Sequence, residues 1–63
     1  MLGNLYLIKN RVNDKKYVGK TYSSLDRRLI EHINDSKRFP HRPLYRAIND
    51  LGADQFYIEL VDV

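Results

Sequence analysis

Apolar residues follow two different periods along this chain. Leu5-Tyr6-Leu7-Ile8 is a continuous apolar run bounded by Asn4 and Lys9, the pattern of a strand covered on both faces and therefore central in its sheet. It predicts a first strand over about residues 4 to 9. Asn10 to Lys15 is rich in turn formers, and Lys16-Tyr17-Val18-Gly19-Lys20 resumes extended character, so the two strands are expected to form an antiparallel hairpin. A four-residue loop at 10–13 would set residue 9 opposite residue 14 and Tyr6 opposite Tyr17. A slip of one residue would send the two phenols to opposite faces.

The period then changes. Ser23 and Asp26 stand in capping-box spacing, and a helix is predicted from there to about Lys37. Leu25, Leu29 and Ile33 make its apolar stripe, widened by Ile30. At about 100° per residue from Leu25, Arg28 falls near 300° and His32 near 340°, one turn apart on the edge of that stripe. Arg27 and Glu31, near 200° and 240° on the same wheel, point away and are expected to pair in solvent. Phe39-Pro40-His41-Arg42-Pro43 breaks the helix and Pro43 opens another. Leu44, Ala47, Ile48 and Leu51 recur at i, i+3, i+4 and i+7 before Gly52, a helix with its stop signal. From Gln55 to Asp62 the chain alternates, with Phe56, Ile58 and Leu60 on one face and Tyr57, Glu59 and Val61 on the other. That is a third strand, most simply placed beside the first. The fold class is α+β, in the order β-β-α-α-β. A three-stranded antiparallel sheet with strand one central carries two helices, as one domain over residues 1–63.

Composition narrows the function. A single small domain of 63 residues without cysteine has neither a disulfide framework nor a thiolate zinc site to brace it. Its start lacks the basic and apolar regions of a signal peptide, and no stretch is long enough to span a membrane, so the chain reads as a cytoplasmic protein. The net charge of +3 is unevenly spread. All eleven Lys and Arg residues lie in positions 1–46 against four acids, which gives +7, and positions 47–63 carry only acids, which gives −4. A basic half of this kind favours a polyanion such as nucleic acid, although a solvated basic surface has the same composition.

Tyr6, Tyr17, Arg28 and His32 are the residues to which chemistry can be assigned. A phenol can activate a nucleophile, a guanidinium can neutralise a phosphorane and an imidazole can move a proton near neutral pH. Each has a plainer reading as strand packing or a snorkelling surface residue. Tyr22, Tyr45 and Tyr57 are read as packing or surface, with Tyr45 the one of the three expected to touch substrate.

The ordered set resembles the N-terminal part of a GIY-YIG nuclease domain. Asn4-Leu5-Tyr6 stands for Gly-Ile-Tyr, and Tyr17-Val18-Gly19 stands for Tyr-Ile-Gly after ten intervening residues. Arg28 begins an Arg-x-x-x-His pattern ending at His32, and Leu44-Tyr45-Arg46-Ala47-Ile48 with Gly52 and Phe56 is similar to phage-type and homing members. The resemblance implies a DNA endonuclease. In it Tyr6 is the general base or its partner, Tyr17 orients the water, Arg28 stabilises the phosphorane and His32 assists proton transfer. Tyrosine ordinarily titrates near pH 10, so a phenolate base needs nearby cations, which Arg28, Lys20 and a metal-bound phosphate would supply. Lys20, His41 and Arg46 are candidate phosphate contacts, and Gly19 is backbone clearance at a strand end. Tyr6, Tyr17, Arg28 and His32 are all expected to border one cleft.

The resemblance also implies a divalent cation, Mg²⁺, held by a glutamate on a helix after the third strand. The chain ends at Val63 without that helix, and no metal ligand is assigned within it. Glu31 is read as lying on the wrong side of its helix, and Glu59 as lying opposite the core-facing residues. The sequence therefore reads as a nuclease domain truncated before its metal-binding helix and poorly active alone. The alternative is a catalytically deficient nucleic-acid-binding module of the same fold. A protein-interaction domain is a third reading, weakened by the lack of a long apolar surface stripe.

Overall fold

The buried side chain of Asn10 decides where the first strand ends. Its Oδ1 accepts from the backbone N–H groups of Val12 at 2.9 Å and Asn13 at 2.8 Å, and its amide donates to Asn13 Oδ1 at 3.1 Å. An asparagine that satisfies the next loop in this way holds the chain extended up to its own position and turns it just after. In the computed structural model, which describes residues 3–61, strand β1 accordingly covers Asn4–Asn10. It is followed by β2 (Tyr17–Thr21), α1 (Leu25–Arg38), α2 (Pro43–Leu51), a short 3-10 turn (Ala53–Gln55) and β3 (Phe56–Leu60). Asp62, included in the expected third strand, lies outside the described residues.

The sheet is antiparallel in the order β2-β1-β3, with β1 central as the sequence predicts. Its register is not the expected one. Because the loop starts after Asn10 rather than at it, Tyr6 stands opposite Gly19 and Tyr17 opposite Ile8. The pairing has moved by two residues, which leaves every side chain on its expected face. On β3, Tyr6 pairs with Leu60 and Ile8 with Ile58.

Tyr6 and Ile8 face the helices and form the core with Tyr45, Ile48 and Phe56, supported by Tyr17, Leu25, Leu29, Ile33, Leu44 and Leu51. Among the described residues the other face of the sheet is open, so the expectation that both faces of strand one are covered fails. Leu5 is exposed and Val18, opposite Leu7, is 73% exposed. A domain of this size has only two helices with which to cover a sheet, and both pack on one side.

Three local expectations on α1 also change. The N-cap is Ser24, whose hydroxyl accepts from the Arg27 N–H, while Ser23 is tied back to Thr21 Oγ1. Ile30 does not widen the apolar stripe and is 58% exposed. Glu31 pairs with Arg28 at 3.5 Å, not with Arg27, and Arg28 is held on that edge by the bond from its Nε–H to the Tyr6 hydroxyl. Helix α2 starts at Pro43 and stops at Gly52, whose φ of 99° is accessible to glycine without a Cβ penalty. The two helices meet through small and polar groups: Ser36 is fully buried, and Asn49 Nδ2 donates to its carbonyl at 2.9 Å. That contact brings Tyr45, one turn before Asn49, against His32, one turn before Ser36.

Candidate active site

The site begins at Tyr6, in the middle of the central strand, where the chain is held by hydrogen bonds on both sides. Its ring lies across β2 at Gly19. A Cβ built there would stand 2.7 Å from Tyr6 Cε1 and nearer still to Cζ and the hydroxyl oxygen. No side chain fits in that space, so glycine is required for a close approach of the phenol and not for an unusual backbone angle.

The Tyr6 hydroxyl is the meeting point of two α1 side chains. It lies 2.8 Å from His32 Nε2 and accepts from Arg28 Nε–H at 3.3 Å. Arg28 and His32 reach it together because they are four residues apart and share one helical edge. The other imidazole nitrogen, Nδ1, lies 3.0 Å from the hydroxyl of Tyr45 on α2. The three rings are tilted to one another, with centroids 6.0 Å apart for Tyr6 and His32 and 5.7 Å for His32 and Tyr45. The result is a continuous hydrogen-bonded row of Arg28, Tyr6, His32 and Tyr45 across three elements.

The electrostatics of the row are uneven. Burial, reinforced by the Arg28 charge, pushes the His32 pKa below its ordinary value, against opposing pulls from Asp35 and Glu31. This favours the neutral imidazole near neutral pH. Burial raises the Tyr45 pKa, so that phenol keeps its proton. The hydrogen bond to Tyr6 raises the Arg28 pKa against the effect of burial, and Glu31 adds to it. Arg28 is therefore a fixed positive charge whose side chain is 32% exposed at the edge of the site.

Tyr17 shares the sheet face of Tyr6, two residues along β2 from Gly19, and packs against the core. It does not join the row. Instead it lines a neighbouring open cleft of about 440 Å³ with Asn13, Lys15, His41, Arg46 and Asp50. The four expected residues therefore divide into a bonded trio and a tyrosine on the wall of the adjoining cleft, which replaces the single cleft expected from sequence. His41 and Arg46 are brought to that second cleft. Lys20 is not: the strand alternation puts it on the opposite face of the sheet from Tyr6, and its ammonium lies 5.6 Å from the centre of the Tyr22 ring. It cannot serve as the cation beside the phenols.

Sequence reading missed the involvement of Tyr45 in the row. The signal was its spacing of three from Ile48, which puts both on the buried side of α2, where they are the helix's two buried residues. Glu31 also differs from expectation, since it reaches Arg28 rather than pointing away from the site.

The described residues do not fit a divalent cation as a set. No three His, Asp or Glu side chains among them converge, and the carboxylate that touches the row, Glu31, is engaged by Arg28. An ordinary magnesium site takes one or two carboxylates plus water and phosphate oxygens. What the row itself offers is a phenol oxygen with two nitrogen partners beside an accessible guanidinium. That arrangement receives developing negative charge and presents N–H groups to an anion.

The GIY-YIG catalytic domain family matches residues 2–59, nearly the whole chain. Two curated proteins of Invertebrate iridescent virus 6 are similar to it. The uncharacterized protein 019R is 30% identical over 57 residues, which is 90% of this chain and 20% of the viral protein. Protein 146R, named for an MSV199 domain, is 30% identical over 59 residues, 94% of this chain and 24% of the viral protein. The chain thus spans a fifth to a quarter of the length of these curated relatives. No solved structure matches it.

Proposed function

The chain belongs to the GIY-YIG catalytic domain family, a family of nucleases, and we propose that it hydrolyses phosphodiester bonds in DNA as a magnesium-dependent endonuclease domain. The observation that carries this reading is the convergence of Arg28 and His32 on the Tyr6 hydroxyl, at 3.3 and 2.8 Å. In hydrolysis a water oxygen attacks phosphorus, the bond to one ester oxygen breaks, and the water proton must be accepted while charge accumulates on the phosphoryl oxygens.

Tyr6 accepts the water proton after giving up its own to solvent, its oxygen held by the nitrogen groups of Arg28 and His32. Arg28, anchored through Nε to that oxygen, turns its remaining N–H groups to the phosphoryl oxygens and stabilises their charge. His32 holds the phenol in place. Tyr17, on the same sheet face, orients the attacking water from the neighbouring wall. Lys15, His41 and Arg46 around the adjoining cleft take the flanking phosphates, and the charges of Lys15 and Arg46 make that binding sensitive to salt. Lys20, on the far side of the sheet, has no part in the reaction.

Magnesium enters this reading through family membership. A divalent cation would supply charge neutralisation at the phosphate, and none of the described residues is assigned to hold it. Glu31 is engaged with Arg28 and is not assigned to the cation.

Nicking of supercoiled plasmid tests this. With Mg²⁺ or Mn²⁺ present, the chain is expected to nick, Tyr6→Phe or chelation of the cation abolishes nicking, and Arg28→Ala slows it sharply. Cleavage that survives both substitutions would overturn the site. Salt-sensitive DNA binding with no nicking under either cation would return the chain to a non-cleaving nucleic-acid-binding module.

A further inference from the structure

We propose that the connection between α1 and α2 is a second phosphate-binding site, in which the ring of Phe39 holds Arg38 and Arg42 for the phosphodiester backbone of DNA lying in the adjoining cleft. The proposal deepens the reading of the chain as a DNA-acting domain and rests on it.

The geometry starts from a turn. The Arg42 N–H donates to the Phe39 carbonyl at 3.2 Å, closing a four-residue turn with Pro40 in its second position, where proline presets the backbone angle. The turn returns Arg42 to Phe39, while Arg38 arrives as the last residue of α1. Their guanidinium carbons lie 5.2 Å (Arg42) and 5.7 Å (Arg38) from the centre of the same ring, within cation–π range. Residues 37–43 are all exposed, so the assembly belongs to the surface and not to the core.

The fold gains little from it. Two like charges gathered at one ring repel each other, and no carboxylate relieves them: the ion pairs among the described residues are Lys9–Glu59 and Arg28–Glu31. The arginines whose side chains donate hydrogen bonds there are Arg11 and Arg28, so Arg38 and Arg42 keep their donors for an outside acceptor. Arg38 suits the C-terminal end of α1, where a cation is favoured. Arg42 is the opposite case. It stands at the N-cap of α2, where Ser, Thr, Asp or Asn would satisfy the first N–H groups, yet it makes no side-chain capping bond and no acid in the first turn offsets its charge. A residue that breaks the local rule for stability is expected where it serves function.

Phosphate is the ligand that matches. Guanidinium N–H groups meet phosphate oxygens in pairs, and contact with the Phe39 ring restrains both arginines without using those donors. The site is also continuous with the cleft assigned to flanking phosphates. His41 and Pro43, the two neighbours of Arg42, line that cleft, as does Arg46, one helical turn further along α2. A strand whose phosphates meet Arg46 therefore continues to Arg42 and Arg38. Phe39 touches no phosphate and is a positioning residue.

Fluorescence anisotropy of a labelled duplex with the 63-residue chain over a salt series tests this. Arg38→Gln and Arg42→Gln are each expected to lower the salt slope by about 1, while Lys20→Ala, an equal loss of charge on the far face of the sheet, leaves it unchanged. Phe39→Leu is expected to weaken binding by about two- to fivefold with the slope kept, since no charge is lost, and Phe39→Tyr restores the affinity. Wild-type slopes in both glutamine variants overturn the proposal, as does an equal loss in Lys20→Ala or undiminished affinity in Phe39→Leu. The wild-type chain supplies a check that needs no variant: the Nε–H resonances of Arg38 and Arg42 shift when the duplex is added. If they stay in place while that of Arg46 moves, the proposal fails and the cleft reading stands. Binding through Arg38 and Arg42 by a chain that never nicks DNA removes the nuclease reading and leaves the proposal standing, and a chain that binds no DNA overturns it.

Discussion

The ring of Tyr6 occupies the space in which any residue other than glycine at position 19 would place its Cβ, 2.7 Å from Cε1 and closer to the hydroxyl end. Gly19→Ala therefore acts on the phenol and not on the strand. It is expected to push the Tyr6 hydroxyl away from His32 and Arg28 and to destabilise the fold by about 1–3 kcal/mol, the range for overpacking. Urea denaturation of a double-mutant cycle checks this: in a Tyr6→Ala background the cost of Gly19→Ala nearly vanishes. Equal costs in both backgrounds would mean that the ring is not what Gly19 accommodates.

Arg28 acts through geometry as well as charge, because its Nε is committed to Tyr6 and one terminal nitrogen to Glu31. Arg28→Ala is expected to slow plasmid nicking by about 10²- to 10³-fold, the usual loss for one electrostatic stabiliser, with little change in DNA affinity. Arg28→Lys keeps the charge without the planar fork and recovers only part of the rate. Full recovery by lysine, measured in the same nicking assay, would show that a point charge is sufficient.

On the proposed reading, phosphate contacts belong to the cleft beside Tyr17. DNA affinity is expected to fall linearly with salt on a double logarithmic plot, with a slope of about 0.9 per phosphate contacted. Lys15→Ala and Arg46→Ala, which alter two cleft-lining cations, each lower the slope by about 1. Lys20→Ala, on the far face of the sheet, leaves it unchanged. Fluorescence anisotropy with a labelled duplex over a salt series distinguishes these outcomes.

His32 makes stability depend on pH with a defined sign. Its pKa in the folded chain lies below the ordinary value of 6.5 because the ring is buried and next to Arg28. Between those two values the unfolded chain binds more protons than the folded one, so stability rises with pH across that window. The contribution is fully present above pH 6.5. It falls as the pH drops towards the folded pKa and levels off below it. Urea midpoints from pH 5 to 8 should show this limb, and His32→Gln should flatten it. A wild-type curve that rises on acidification would contradict the buried neutral ring.

The sequence by itself determined the order of the elements, the α+β class, the central place of the first strand and which residues of a strand share a face. These are consequences of local periodicity, which survives small errors in register. The hairpin pairing is two residues from the one expected, yet Tyr6, Tyr17 and Gly19 still share a face because strand alternation has a period of two. The same alternation separates Lys20 from Tyr6, and the helical repeat puts Arg28 beside His32. Only the tertiary structure decided what the second nitrogen of His32 touches. Tyr45 comes from a different helix, and its approach depends on how α1 and α2 cross at Ser36 and Asn49. No period along the chain encodes that crossing, which is set by side-chain volume and by the hydrogen bonds available at the contact. The register itself was settled by the Asn10 side chain in its loop, and the open second face by the fact that both helices pack on the same side of the sheet.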